Sequence, residues 1–216
     1  MKFHTKQDQV ADLLRERIIT GIYSRGQRLK QLEVAADLGL SVTPVREALR
    51  ILEAEGYVSC LSHKGALIPL LDGKQAQEIF ELRIMLEREL TRLALGNVTR
   101  DVLGDLHSLQ QECIEAATRD DQVRVRQANY RFHFRLYELA ERPQTLQFVR
   151  VLWAKYPFHG LDAVPRRNDR MIAEHNAFLA RVAENDHAEA VEAMERHVRE
   201  GWLEFFNSSR DDNRSS

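Results

Sequence analysis

The sequence predicts a mainly α fold in two parts. A small N-terminal head of three helices is closed by a β-hairpin, and a six-helix antiparallel bundle follows. Three observations predict it. Apolar residues recur at helical spacing through most of the 216 residues. Two short apolar runs flank a glycine-containing turn near residue 64. Beyond Asp72-Gly73 the pattern is helical as far as about residue 206.

The elements follow in order. Over 5–20, Val10, Leu13, Leu14, Arg17 and Ile18 share one helical face, and Gly21 ends the run. "YSRGQRL" reads as a turn with Gly26 at its tip. A short helix over 31–38 stops at Gly39. The next helix, 42–55, has Val45, Ala48, Leu49 and Leu52 as its buried stripe, and Gly56 ends it. "YVSCL", "SHKG" and "ALIPLL" form the hairpin. The bundle helices are expected over 74–96, 99–118, 121–141, 144–156, 168–184 and 187–206. Their breaks are Gly96-Asn97, Arg119-Asp120, Arg142-Pro143, Pro157–Pro165 and Asn185-Asp186. Asp186 and Glu189 are spaced as a capping pair. The expected division is a head over 1–71, a helical domain over 72–207 and a polar, frayed tail over 208–216.

Composition narrows the class. Net charge is −2, so the whole chain lacks the basic excess of many nucleic-acid binders. The charge is unevenly placed, however: residues 1–71 sum to +2 and the remainder to −4. Cys60 and Cys113 make neither a disulfide framework nor a CxxC metal motif. The first residues lack an apolar signal core, and no run approaches 18 apolar residues, so a cytoplasmic protein without a membrane partner is expected.

Helix, helix, tight turn, helix and hairpin is the order of a winged helix-turn-helix, whose second paired helix enters the major groove. Ser41 or Thr43 is placed to cap that helix, and Pro44 is tolerated in its first turn. With the apolar stripe inward, Thr43, Arg46, Glu47 and Arg50 point outward. His63, Lys64 and Gly65 at the wing turn suit a phosphate or minor-groove contact. For a lone helix, Arg46 and Arg50 would read as a solvated face. The agreement of several cues in order and spacing favours the groove.

The stretch "ITGIYSRGQRLKQLEVAADLGLSVTPVREALRILEAEGYV" resembles the DNA-binding domain of the GntR family of bacterial transcription regulators. The resemblance implies DNA contacts from Ser41, Thr43, Arg46 and the wing at His63–Gly65. Val42 stands where such proteins often have arginine, which leaves sequence preference open.

In the helical part, Asn129 and His133 are i, i+4 on one face. His175 lies eleven residues before Asp186 and His197 eleven after it, so a helical hairpin sets both at about 16 Å from its turn. If the 121–141 helix packs on that hairpin, the groups converge. Any one of these histidines alone would read as a hydrogen-bonded core residue. Three imidazoles and an oxygen suit zinc, with nickel or manganese as alternatives.

"EIFELRIMLERELTRLAL", "NYRFHFRLYELAERP" and "AEHNAFLARVAENDHAEAVEAMERHV" resemble the all-helical FCD effector domain of FadR-type GntR regulators, in its shorter VanR-like form. The resemblance implies a metal held by Asn129, His133, His175 and His197. It also implies that Arg83 faces the pocket, although a salt bridge to Glu87 is an equal alternative. Tyr130, Arg150, Trp153 and Asn176 are further candidates for the lining. With asparagine replacing the family's frequent aspartate, a divalent ion leaves the site near +2, which favours a small carboxylate.

The expected function is a homodimeric DNA-binding regulator, a repressor released from its operator by a small organic acid at a metal-containing pocket. Two alternatives are a metal-dependent hydrolase and a helical interaction module. Neither HExxH nor GxSxG is present to support catalysis.

Overall fold

The computed structural model describes residues 5–61, 65–70, 73–156, 164 and 166–212. The head contains α1 (Lys6–Ile19), β1 (Arg28–Leu29), α2 (Gln31–Asp37), α3 (Val42–Ala54), β2 (Ser59–Leu61) and β3 (Gly65–Leu67). Thr5 starts α1 with a reciprocal capping box to Asp8. α3 buries Val45, Ala48, Leu49 and Leu52, the stripe expected from spacing, and packs on α1.

Two details of the head differ from expectation. The buried face of α1 is Val10, Ala11, Leu14, Ile18 and Ile19, while Leu13 is exposed. The hairpin is part of a three-stranded sheet in the order β1-β3-β2, all antiparallel, with Leu29 opposite Ala66 and Cys60 opposite Ala66. β1 comes from the stretch read as a turn. Its two residues are too short for any periodicity to register.

Gly65 opens β3 with φ +104, and a Cβ there would lie 2.0 Å from the Leu29 carbonyl oxygen and 3.0 Å from Lys30 Cα. Only glycine lets the two strands approach this closely. Gly65→Ala is expected to destabilise the head by about 3 kcal/mol or more, adding steric overlap to backbone strain. An earlier head transition in urea unfolding would register it.

The bundle contains α4 (Gly73–Leu95), α5 (Arg100–Thr118), α6 (Gln122–Tyr137), α7 (Pro143–Lys155), α8 (Arg167–Ala183) and α9 (His187–Asp212). The expected helix over 121–141 instead ends at Tyr137 and tightens into a 3-10 turn, Glu138–Ala140. The last helix runs into the stretch read as a polar tail. Left-handed residues make the joints: Asp120, Glu141, Arg166 and Asn185 all have φ between 52° and 62°. Asp186 accepts from the Glu189 amide at 3.1 Å and caps α9. α4 packs on α7 and α9, α5 on α6 and α8, and α8 on α9. Among the described residues, no helix is long and apolar enough to cross a membrane.

One apolar core continues from head to bundle, where α1 meets α7. Polar groups also cross this seam. Arg25 donates to the Ala154 carbonyl, and Arg126 Nε donates to the Thr20 carbonyl. The Tyr57 hydroxyl and Arg150 Nε are buried without a hydrogen-bond partner among the described residues.

Candidate functional site

Three histidines from three helices meet inside the bundle. His133 comes from α6, His175 from α8 and His197 from α9, and all are buried. His133 Nε2 lies 3.1 Å from His197 Nε2 and 3.3 Å from His175 Nε2. The His175 and His197 ring centroids are 4.6 Å apart, the equal height expected from their spacing about Asp186.

The outer partners decide what these nitrogens are. His197 Nδ1 lies 2.7 Å from Glu174 Oε2, an obligate acceptor, so Nδ1 carries the proton. His175 Nδ1 faces Gln110 Oε1 at 3.0 Å, and Gln110 is oriented because its amide nitrogen donates to the Ile172 carbonyl. The Tyr137 hydroxyl donates to Glu87 Oε2 at 2.7 Å, so its oxygen accepts from His133 Nδ1 at 3.0 Å. Each Nδ1 is therefore a donor, and each Nε2 presents a lone pair to the other two.

Three lone pairs at such distances repel unless a cation stands among them. A proton is disfavoured. Burial drives His133 and His175 well below the ordinary histidine range, and positive neighbours add to it. Burial also lowers His197, against the opposing pull of Glu174. Glu174 would be raised by its own burial, but His197 and Arg167 hold it below the usual carboxylate range. Asn129, one turn before His133, adds a buried Oδ1 without a hydrogen-bond partner among the described residues. Neutral imidazoles with tied outer nitrogens, plus an orphaned amide oxygen, fit a first-row divalent metal. The donor set could hold such an ion.

Asn129 and His197 line a cavity of about 50 Å³ together with Arg83, Arg126, Arg167 and Asn168. This is room for a few waters or the head of a small acid. Arg83 makes the expected pair with Glu87 and also stands on the cavity wall. Its Nε donates to Glu87 at 2.6 Å, it lies 4.9 Å and 4.4 Å from the Trp153 and Tyr156 rings, and it borders the cavity. Arg167 pairs with Glu174 at 3.1 Å and Glu204 at 3.3 Å, packed against the bare backbone of Gly201.

Tyr130, Arg150 and Asn176 do not line this cavity. Tyr130 packs on Phe134 and Trp153, and Arg150 bonds Glu138 at 2.8 Å. Asn176 is exposed and accepts from Gln110 at 3.0 Å. Tyr130 and Asn176 each follow an inward residue by one position, so the helix turns them about 100° away. Arg126 and Arg167 were missed. Arg126 had a signal, since it stands three residues before Asn129 on the same face.

In the head, Ser41, Thr43, Arg46 and Arg50 are exposed on α3. Ser41 occupies the N-cap without a side-chain capping bond. Glu47 lies 3.6 Å from Arg46 Nε and 3.3 Å from Arg50 Nη1. His63 and Lys64 lie outside the described residues, whereas Gly65 is buried where the strands meet.

Comparison with known proteins agrees across both parts. Residues 6–68 match the bacterial regulatory proteins of the gntR family, and residues 78–200 match the FCD domain. The Nta operon transcriptional regulator of Aminobacter aminovorans is 32% identical over 136 residues, 62% of this chain and 63% of that protein. The HTH-type transcriptional regulator McbR of Escherichia coli K12 is 29% identical over 147 residues, 68% of this chain and 66% of that protein. Both matches span just under two thirds of the relative's length. The solved structure of E. coli McbR/YncC superposes with a TM-score of 0.87 at 24% identity, covering 95% of this chain and 99% of that one, which shows a shared fold.

Proposed function

Because the chain belongs to the GntR family of bacterial regulatory proteins and carries an FCD domain, we propose that it regulates transcription in response to a small organic acid bound beside a divalent metal. That it is a transcriptional regulator follows from the family, and its relatives are regulators rather than enzymes. The hydrolase alternative falls with that finding.

The observation that carries the reading is the convergence of three deprotonated Nε2 atoms beside a cavity bordered by arginines. His133, His175, His197 and Asn129 would hold the ion, with zinc the best match to the donors and nickel or manganese as alternatives. When bound, it supplies a positive centre with a coordination position for an anionic ligand. Arg83 and Arg167 border the same cavity and offer N–H donors to it. Their carboxylate partners keep them oriented.

On the DNA side, Ser41 at the N-cap and Thr43, Arg46 and Arg50 of α3 would face the groove, with His63 and Lys64, between β2 and β3 in sequence, as further contacts; buried Gly65 supports the strand pairing instead. A homodimer would set two α3 helices into successive major grooves about 34 Å apart. Release of the operator by the acid makes the protein a repressor.

A salt titration of DNA binding, with and without zinc and with acetate, succinate or citrate, tests this. The expected result is sequence-selective binding that one of these acids weakens only in the metal-loaded protein. Weak binding to all duplexes, indifferent to metal and acid, would refute it.

A further inference from the structure

Arg126 touches both halves of the molecule. It borders the cavity, and its Nε donates to the Thr20 carbonyl oxygen at 2.5 Å. Thr20 is the C-cap of α1, is 1% exposed, and anchors its hydroxyl on the Glu16 carbonyl at 2.8 Å. The carbonyls of a helix's last turn have no partner within the helix. Here one of them is satisfied from the bundle. α1 in turn is the helix on which α3 packs. A single side chain therefore spans from the cavity to the support of the DNA-facing helix.

We propose that Arg126 is the positioning residue that transmits occupation of the cavity to the DNA-binding head. The inference rests on the reading of that cavity as the seat of a small acid. The guanidinium is a planar fork with five N–H donors. A carboxylate can take two parallel bonds from this fork and pairs full charge with full charge, whereas the neutral Thr20 carbonyl accepts from Nε alone. An acid in the cavity therefore draws the fork inward and away from Thr20. The last turn of α1 then loses its tie to α6, and the head is freed to change its placement on DNA.

The test uses the zinc-loaded full chain, an operator duplex selected by the wild-type protein from random sequences, and acetate, succinate and citrate as probes. For the wild type, the effective acid should weaken operator binding by about tenfold or more. Arg126→Lys keeps a charge for the acid but lacks the fork. It should bind the same acid within about tenfold of wild type, with operator affinity changing less than twofold on acid binding. A merely structural role would shift both affinities together and leave their ratio intact. A wild-type ratio in Arg126→Lys, or complete loss of acid binding in it, overturns the proposal while leaving the function standing. No response of wild-type protein to any of the three acids removes both. Hydrogen exchange in the wild type gives an independent check: the effective acid should speed exchange of the Thr20 and Tyr23 amides, and unchanged exchange there overturns the proposal.

Discussion

Replacing His133 with leucine is expected to abolish stabilisation by metal while leaving the metal-free protein at least as stable as wild type. His133 is the middle of the cluster, with its Nε2 within 3.3 Å of both other Nε2 atoms. Without a metal, its lone pair faces two others in a buried site that disfavours protons. Leucine removes that repulsion at similar volume, and the Tyr137 hydroxyl keeps its bond to Glu87. With a metal, wild type gains about 4 kcal/mol at a free concentration a thousandfold above Kd. That corresponds to about 8–16 °C in Tm for a chain of this size. The leucine variant should show neither gain. Calorimetry of both proteins, stripped and reloaded with zinc, measures all four quantities. An equal rise in Tm for the variant would mean that the ion binds elsewhere.

The second large effect belongs to the head. Arg46→Ala should lower operator affinity by about 1–3 kcal/mol and relax selectivity at one base pair if the guanidinium reads a base edge. If it holds a phosphate instead, all sequences should weaken alike and the salt slope should fall by about 1. Glu47 competes little for this arginine, because exposed ion pairs are worth at most about 1 kcal/mol. Fluorescence anisotropy across a salt series, with matched and single-mismatch duplexes, separates the two modes. Undiminished binding by the alanine variant would take Arg46 out of the interface.

The legibility of the chain follows the range of the forces involved. Helix α3 was readable because Val45, Ala48, Leu49 and Leu52 repeat at its own period between Gly39 and Gly56. The pairing of His175 with His197 was readable because a short joint at Asn185-Asp186 ties sequence distance to height along two helices. β1 was not, because its two residues owe their state to β3, whose paired residues lie 39 and 37 positions further along the chain. The outer shell of the site was equally silent. Gln110, Glu87 and Glu174 reach their histidine or tyrosine partners through tertiary packing, and no spacing in the chain announces such pairs. Tyr130 and Asn176 were misplaced for a local reason: adjacency in sequence sends consecutive helical side chains in different directions.

The orphaned Tyr57 hydroxyl and Arg150 Nε bear on how tightly the two parts are held. Each unsatisfied atom opposes the closed arrangement by about 1–3 kcal/mol, and solvent would satisfy both as soon as the surfaces part. The apolar contact between α1 and α7 is thus countered from within. A molecule balanced in this way parts head from bundle at modest cost.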